Sequence, residues 1–269
     1  MLGWLRSKLY RDRVEKGSDK DIRYLEYIVE RFLHSKKRLD MITGERYYLG
    51  HHDILWAKRE VIGEGGRLTE VDNLPNNKRI DNQYEKLVDQ KVNYLLGKPI
   101  TFQSENEIYQ EHLEKIFGLE FHRTIKNLGE DALNGGIAWI YPHYNDKGEF
   151  VFKRFEPCQI LPVWKDEGHT DLEFVIRIYT IQEWTGSMLE DVEIVDVYSL
   201  AGIDRYKYHY GALKYDSHYN YFNIGEEQFN WDKLPVIPFK YNLLEKPLIL
   251  RIKNLQDGLI KLFQTLKMI

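Results

Sequence analysis

Residues 76–102 read NNKRIDNQYEKLVDQKVNYLLGKPITF, and this stretch decides how the chain is organised. Its apolar side chains recur at spacings of three and four, which predicts a helix with one buried face. The residues at this spacing are Tyr84, Leu87, Val88, Lys91, Val92, Leu95 and Leu96, and the apolar ones are predicted to share the buried face, with Lys91 as the one charged interruption. Gly97 can end this helix in a left-handed cap. Pro99 disfavours helical backbone at Lys98, so residues 100–102 are predicted to continue as an extended strand.

Helices are predicted on both sides of this stretch. Upstream, apolar periodicity predicts one over residues 19–33, followed by a solvated break at residues 36–38 and a second helix that ends at Gly50. Downstream, the segment Ser104–Glu107 resembles a capping box that opens a helix. A further helix is predicted over 120–133, and Asn134, Gly135 and Gly136 are predicted to stop it.

After Gly136 the period of the apolar pattern changes from 3.6 residues to 2 residues, which predicts strands. A hairpin is expected over residues 137–155 with a four-residue turn at 145–148. Six further strands are predicted, over 159–164, 172–180, 192–200, 203–210, 219–224 and 236–241. Because the connections between them are short, we expect an antiparallel meander and not a βαβ array.

The last segment carries an apolar heptad seam. Its members are spaced by 4, 3, 4, 3, 4 and 3 residues, and they are Leu248, Ile252, Leu255, Leu259, Leu262, Leu266 and Ile269. No other part of the sequence offers an obvious partner helix of this length. We therefore expect a neighbouring subunit to cover the seam, or the chain to be C-terminally truncated.

The sequence predicts an α+β fold in four parts. These are an N-terminal segment (1–18), a mainly helical part (19–136), an antiparallel β part (137–244) and the start of a long amphipathic helix (245–269). The single cysteine, Cys158, excludes an intrachain disulfide, and no apolar run approaches the eighteen residues of a membrane span.

The charge distribution argues against a protein that grips DNA. Residues 1–80 hold 17 Lys and Arg against 13 Asp and Glu, a balance of +4, and the net charge of −4 therefore leaves −8 for residues 81–269. DNA-binding proteins that neutralise phosphates usually present a strongly basic face. This balance still permits a channel through which DNA slides without being held.

Catalytic and metal-binding motifs are missing from the sequence. It contains no nucleophile elbow, HExxH, Walker loop or paired cysteines. His51, His52 and Asp53 are adjacent, and neighbouring side chains diverge, so we expect no metal there. Cys158 has no basic neighbour in sequence and is expected to be structural. We expect no enzymatic activity, no cofactor, and no catalytic or metal-ligating residue.

Three motifs in order resemble one protein family. The signature stretch, with its Asn76-Asn77 lead-in and the run from Tyr94 through Gly97, Lys98 and Pro99, resembles that of portal proteins, the head-to-tail connectors of tailed double-stranded DNA bacteriophages. YYLGHHDIL at 47–55 precedes it, and GGIAW at 135–139 with FEPCQI at 155–160 follows. The resemblance covers roughly residues 20–269. It implies a wing-like domain and the start of a stem helix, with the clip, second stem helix, tunnel loop and crown absent.

The resemblance implies a structural role. Portal subunits form a ring, usually of twelve, at one capsid vertex, and double-stranded DNA passes through it without sequence recognition during packaging and ejection. The implied partners are further copies of the chain, the terminase large subunit, capsid and scaffold proteins, and head-completion or tail-adaptor proteins, with no membrane. The implied location is the virion, with the host cytoplasm during assembly. The resemblance then implies subunit contacts through the first six residues of the seam, Leu248, Ile252, Leu255, Leu259, Leu262 and Leu266.

Two other functions fit parts of the sequence. The β region is rich in Tyr, Phe and Trp, which is also typical of a monomeric module that binds a glycan or peptide. Aromatic residues favour strands in any case, so this pattern alone is weak. The second alternative is a hydrolase whose catalytic carboxylates are distant in sequence and come together only in the folded chain. Neither alternative explains the heptad seam.

Overall fold

The computed structural model describes residues 19–58, 60–63, 65–70 and 78–266. The N-terminal segment 1–18 and the signature residues Asn76 and Asn77 lie outside these ranges. The described part has the predicted α+β architecture of N-terminal helices, antiparallel sheets and a C-terminal helix. None of its helices is both long enough and apolar enough to cross a bilayer.

Six α-helices are present in the described ranges. They are α1 (Asp19–Leu33), α2 (Lys36–Tyr48), α3 (Gln83–Leu96), α4 (Glu107–Ile116), α5 (Leu119–Gly135) and α6 (Ile249–Leu266). Two short 3₁₀ turns occupy Asp53–Leu55 and Pro157–Gln159.

Twelve strands form four antiparallel sheets in the described part of the chain. The strands are β1 (Glu60–Ile62), β2 (Leu68–Glu70), β3 (Ile137–Tyr144), β4 (Phe150–Phe155), β5 (Ile160–Trp164), β6 (Leu172–Thr185), β7 (Met188–Ser199), β8 (Gly202–His209), β9 (Ala212–Tyr219), β10 (Phe222–Ile224), β11 (Glu227–Phe229) and β12 (Ile237–Lys240). β1 and β2 make one hairpin and β10 and β11 another. The two larger sheets have the orders β12-β3-β4 and β5-β6-β7-β8-β9.

The two larger sheets form the middle of a four-layer arrangement. Because side chains alternate along β3, Ala138 and Ile140 pack against α5, whereas Trp139 and Tyr141 pack against the five-stranded sheet. The opposite face of the five-stranded sheet contacts α1 in a separate cluster. The order of layers is therefore helices α3 and α5, the three-stranded sheet, the five-stranded sheet, and α1.

The predicted antiparallel meander is confirmed, and the structure adds one pairing that the sequence pattern did not indicate. The five-stranded sheet is a meander, but β12 returns to pair with β3, with Ile237 opposite Ile140. A strand was also missed, because 212–219 forms β9 and the predicted strand 219–224 begins only at Phe222. β9 lies at a sheet edge and buries Leu213 alone, so its sequence shows little apolar alternation.

The helix of the signature stretch ends differently from the prediction. Gly97 has φ −72° and ψ −19°, so it is right-handed, and its N–H still donates to the Asn93 carbonyl at 3.0 Å. Residues 100–102 belong to no strand. Tyr84, Val88 and Val92 are buried as predicted, but Leu95, predicted inward, is 75% exposed and Tyr94 is 89% exposed.

Two other helix starts also differ from the predictions. Asn106, not Ser104, caps α4, and its side chain accepts from the Tyr109 N–H at 3.1 Å. The basic run 36–38 is not a solvated break but the first turn of α2. The Arg38 side chain is half-buried, and its guanidinium donates to the Cys158 carbonyl at 3.0 Å.

Candidate functional site

Helix α6 is held against the rest of the chain by its first turns. The Leu248 N–H donates to the Leu133 carbonyl at 2.8 Å, which joins the start of α6 to the end of α5. Leu248 and Ile249 are buried in a cluster with Tyr47 and Tyr84. The helix therefore leaves the body in a defined direction set by α2, α3 and α5.

The predicted heptad seam divides between two faces of α6. Leu248 is buried and Ile252 and Leu259 are half-buried, but Leu255 is 75% and Leu262 is 53% exposed. Leu266 ends α6, and its side chain, like Ile269, lies outside the described residues. We expected no other part of the chain to cover the seam, and this was wrong for the first turns of α6, which pack against α2 and α3.

The residues that face the body are spaced for a straight helix. Ile249, Ile252, Gln256 and Ile260 follow one another at 3, 4 and 4 residues. A straight helix drifts about 20° per heptad from a 3.5-residue seam. Leu255 and Leu262 therefore point away from the body, where they are available to another molecule.

Sequence reasoning missed the buried amide of Gln256. Its Nε2 donates to the Asp81 carbonyl at 2.7 Å, and its Oε1 accepts from the Tyr84 N–H at 3.1 Å. That N–H is one of the unpaired donors at the start of α3. Gln256 stands between Leu255 and Leu259, and nothing in the local pattern distinguishes it from the other polar residues of α6.

An ionic cluster joins α6 to α2 and to the 3₁₀ turn Asp53–Leu55. The Lys253 ammonium donates to Asp257 at 2.7 Å and to Asp53 at 2.5 Å, and the Tyr47 hydroxyl donates to Asp257 at 2.7 Å. Burial works to raise the pKa of Asp53, but hydrogen bonds from Lys253 and Arg46 outweigh it and lower the pKa to about 2. Asp53 is thus ionised and paired with Lys253 and Arg46.

A second cluster, the root of α6, surrounds the buried carboxylate of Glu245, whose side chain is 2% exposed. Lys37 donates to it at 2.6 Å, His169 lies at 2.8 Å and Lys240 at 3.1 Å. The His169 ring stacks on Trp164, with centroids 5.0 Å apart. One side chain therefore joins α2, β12 and the β5–β6 connection at the point where the chain turns into α6.

Glu245 is ionised in this setting. Burial works to raise its pKa, but hydrogen bonds from Lys37 and His169, together with the charge of Lys37, lower the pKa to about 2. Its backbone is left-handed, with φ +51°, which is uncommon for a residue other than glycine. The surrounding contacts hold this conformation in place.

The predicted glycine switch lies directly against the root. Gly136 ends α5 in a left-handed conformation, with φ +80°, and a β carbon there would lie 2.4 Å from the Glu245 carbonyl oxygen. A β carbon on Gly135 would lie 2.4 Å from Cβ of Pro157. Both positions require glycine because other backbone and ring atoms approach closely.

His52 and Cys158, the residues considered above for metal binding and catalysis, have structural surroundings. His52 is buried, stacks on Tyr47 at 4.5 Å and hydrogen-bonds the Tyr47 carbonyl through Nε2. Burial raises the pKa of Cys158 to about 11, which keeps the thiol protonated. Within the described ranges, no group of three or more His, Cys, Asp or Glu is placed to hold a metal ion.

The other signature residues do not converge on one point. Tyr94 and Lys98 are exposed on or beyond the last turn of α3, and Pro99 follows in an exposed loop, whereas Gly135 and Gly136 are buried at the root. The structure thus brings the two glycines and α6 together and leaves Tyr94, Gly97, Lys98 and Pro99 on another surface. What the site offers is a rigidly mounted helix with an outward apolar stripe, Leu255 and Leu262.

Comparison with known proteins identifies the family of this chain. Residues 25–266 match the profile of the family described as phage portal protein, SPP1 Gp6-like. The portal protein of Bacillus phage SPP1 is 29% identical over 213 residues, which cover 75% of this chain and 41% of that protein. The portal protein of Clostridium phage phiCD119 is 25% identical over 233 residues, 82% of this chain and 50% of that protein. The chain spans half or less of the length of these relatives. It belongs to the phage portal protein family.

Proposed function

We propose that this chain is a structural subunit of a portal ring at a capsid vertex, through which double-stranded DNA is packaged and ejected. The single observation that carries the proposal is the family match over residues 25–266. The outward stripe of Leu255 and Leu262 supports it, because exposed apolar residues on a rigid helix are suited to subunit contact. In this proposal residues 19–244 form a wing-like domain and residues 245–269 begin a stem-like helix.

The partners follow from the same proposal. They are further copies of the chain, twelve in a complete ring, the terminase large subunit, capsid and scaffold proteins, and head-completion or tail-adaptor proteins. DNA would pass without sequence recognition, in keeping with the net charge of −4. The subunit would join the ring in the host cytoplasm and remain in the virion. It would catalyse no reaction of its own.

The aromatic residues of the β region support a packing role. Tyr144 stacks on Trp231 with centroids 6.1 Å apart, and Trp231 also lies 4.8 Å from Phe222. Tyr141 contacts Phe155 and Tyr198 within the core between the sheets. These rings contact one another, so they do not form a row of open stacking faces for a glycan or peptide.

Negative-stain electron microscopy combined with a solution mass tests the proposal. We expect rings with a central hole at high protein concentration and a mass that is a multiple of the monomer. Rings that disappear in a Leu255→Asp, Leu262→Asp double variant would tie assembly to α6. A monomer of unchanged mass at every concentration would contradict the proposal for this chain.

A further inference from the structure

A two-stranded arm extends from the five-stranded sheet. β6 pairs with β5 only up to Arg177, and β7 pairs with β8 only from Glu193 onwards. Between these limits β6 and β7 continue as a ribbon whose described pairings are with each other alone, from Ile181 opposite Val192 to Thr185 opposite Met188. We call residues 181–192 the arm. At about 3.3 Å per residue, its five pairs reach about 16 Å beyond the sheet.

The tip of the arm is apolar and its flanks are acidic. Trp184 lies directly opposite Leu189, and they are 69% and 54% exposed. The arm also contains Glu183, Glu190 and Asp191 but no Lys or Arg, and because Glu183 is paired with Lys207 of β8 at 2.7 Å, Glu190 and Asp191 are the acidic residues left next to the tip. A two-stranded ribbon is only marginally stable in water by itself, so an exposed Trp–Leu pair at its end is suited to burial against another surface.

A matching apolar groove lies on the other side of the molecule's layers. It has a volume of about 410 Å³ and lies between α3, α5 and β12. Its walls are mainly apolar and include Leu87, Leu96, Leu133, Phe239 and Tyr241, and the exposed Tyr94 and Leu95 form one rim.

The charges of the groove are opposite to those of the arm. Lys91 and Lys240 are among its lining residues, and none of the described residues that line it is acidic. Lys240 also bonds Glu245, whereas Lys91 is exposed on α3. Lys91 therefore supplies the positive charge beside the apolar floor, and this arrangement is complementary to the apolar tip of the arm and to Glu190 and Asp191.

The arm and the groove belong to different layers of the chain. The arm continues the five-stranded sheet, whereas the groove is built on the outer face of the three-stranded sheet, and no arm residue lines it. A contact between them in two copies would be head-to-tail, and head-to-tail contacts close into rings when the rotation permits.

We propose that the arm of one copy places Trp184 in the groove of the next copy. This inference rests on the proposed function, since it names one of the contacts by which the ring is built. A buried Trp contributes about 150–250 Å². Standard interfaces bury about 800 Å² per partner, so the arm supplements other contacts such as the stripe on α6.

A photo-cross-linking experiment tests the arm. A benzophenone amino acid replaces Trp184, and isotopically light and heavy chains are mixed and irradiated under the conditions that give oligomers. We expect heavy–light cross-links from position 184 to peptides that contain residues 87–96 or 239–241. The same probe at Tyr210, which is exposed in the turn after β8, is the control and is expected to give no cross-links to the groove.

Charge reversal provides a second, independent readout. Lys91→Glu is expected to raise the concentration at which oligomers dissociate, and Glu190→Lys with Asp191→Lys in the same chain is expected to restore assembly. Trp184→Ser is expected to raise that concentration at least about tenfold, as for an interface hot spot. Because these side chains are exposed, circular dichroism is expected to show unchanged folding.

The outcomes separate this inference from the proposed function. Oligomers that form normally but cross-link from position 184 to another surface, or only within one chain, would overturn the arm contact and leave the ring in place. Failure of every chain to oligomerise would overturn both. Unchanged assembly of Trp184→Ser together with Lys91→Glu would also overturn the arm contact.

Discussion

Replacement of Glu245 by glutamine tests the root of α6, because it removes the buried charge and keeps the shape of the side chain. The pKa of Glu245 falls from its ordinary 4.5 to about 2 in the folded chain. A tenfold change in proton affinity is worth about 1.4 kcal/mol, so the ionised carboxylate is favoured by about 3 kcal/mol on folding. Lys37 is 40% exposed and can regain water, so we expect E245Q to lose about 2–3 kcal/mol at pH 7.

The pH dependence of this loss has a defined sign. Because the pKa of Glu245 is lowered by folding, its stabilisation is complete above the ordinary pKa of 4.5 and disappears as pH falls towards 2. The difference between wild type and E245Q is therefore expected to shrink by about 1 kcal/mol between pH 7 and pH 3.5.

Urea unfolding followed by tryptophan fluorescence measures both quantities. Trp164 stacks on His169 beside Glu245 and serves as a local reporter. The matched control is E226Q, at an exposed turn between β10 and β11, which is expected to change stability by less than about 0.5 kcal/mol. An E245Q loss no larger than that of the control, or an equal loss at both pH values, would show that the Glu245 charge does not stabilise the root.

Three further predictions concern α6 and the half-buried Asp131. The double variant Leu255→Asp, Leu262→Asp is expected to keep wild-type unfolding free energy within about 1 kcal/mol but to abolish oligomers in a mass measurement; a large loss of stability would show that these side chains pack on their own chain. Gln256→Leu leaves the buried Tyr84 N–H without its acceptor and is expected to cost about 1–3 kcal/mol in urea unfolding, and a neutral result would contradict that contact. Burial, opposed by its arginine partner, raises the pKa of Asp131 to about 6, so its stability contribution falls as pH rises through 6. Asp131→Asn is expected to gain about 1 kcal/mol in stability relative to wild type between pH 5 and pH 8, and a change of the opposite sign would argue for a net favourable ion pair.

Local patterns predicted the elements whose signals are local. The stop of α5 at Gly135 and Gly136 and the bounds of β3 follow from glycine conformation and the change of period, and both were confirmed. The hairpin turn at 145–148 was likewise confirmed, with Asn145 accepting from two backbone N–H groups within it. Such features need no information from distant parts of the chain.

Features set by distant contacts could not be predicted in this way. Glu245 is 208 residues from Lys37 in sequence, and Gln256 is 172 residues from Tyr84. The register of α6 depends on which side of the helix the body covers, so a regular heptad pattern gave the correct helix but the wrong buried face. Periodicity predicts Leu95 on the buried face, but its side chain is 75% exposed because the described part of the chain does not cover that end of α3.

In the proposed function this chain builds a ring, and the outward face of α6 contributes to it. The most direct measurement is the mass distribution of the purified chain over a range of concentrations, with negative-stain images of the same samples and the Leu255→Asp, Leu262→Asp variant in parallel. We expect ring-shaped oligomers for the wild type and folded monomers for the variant. Wild-type monomers at every concentration, or rings that persist in the variant, would contradict it.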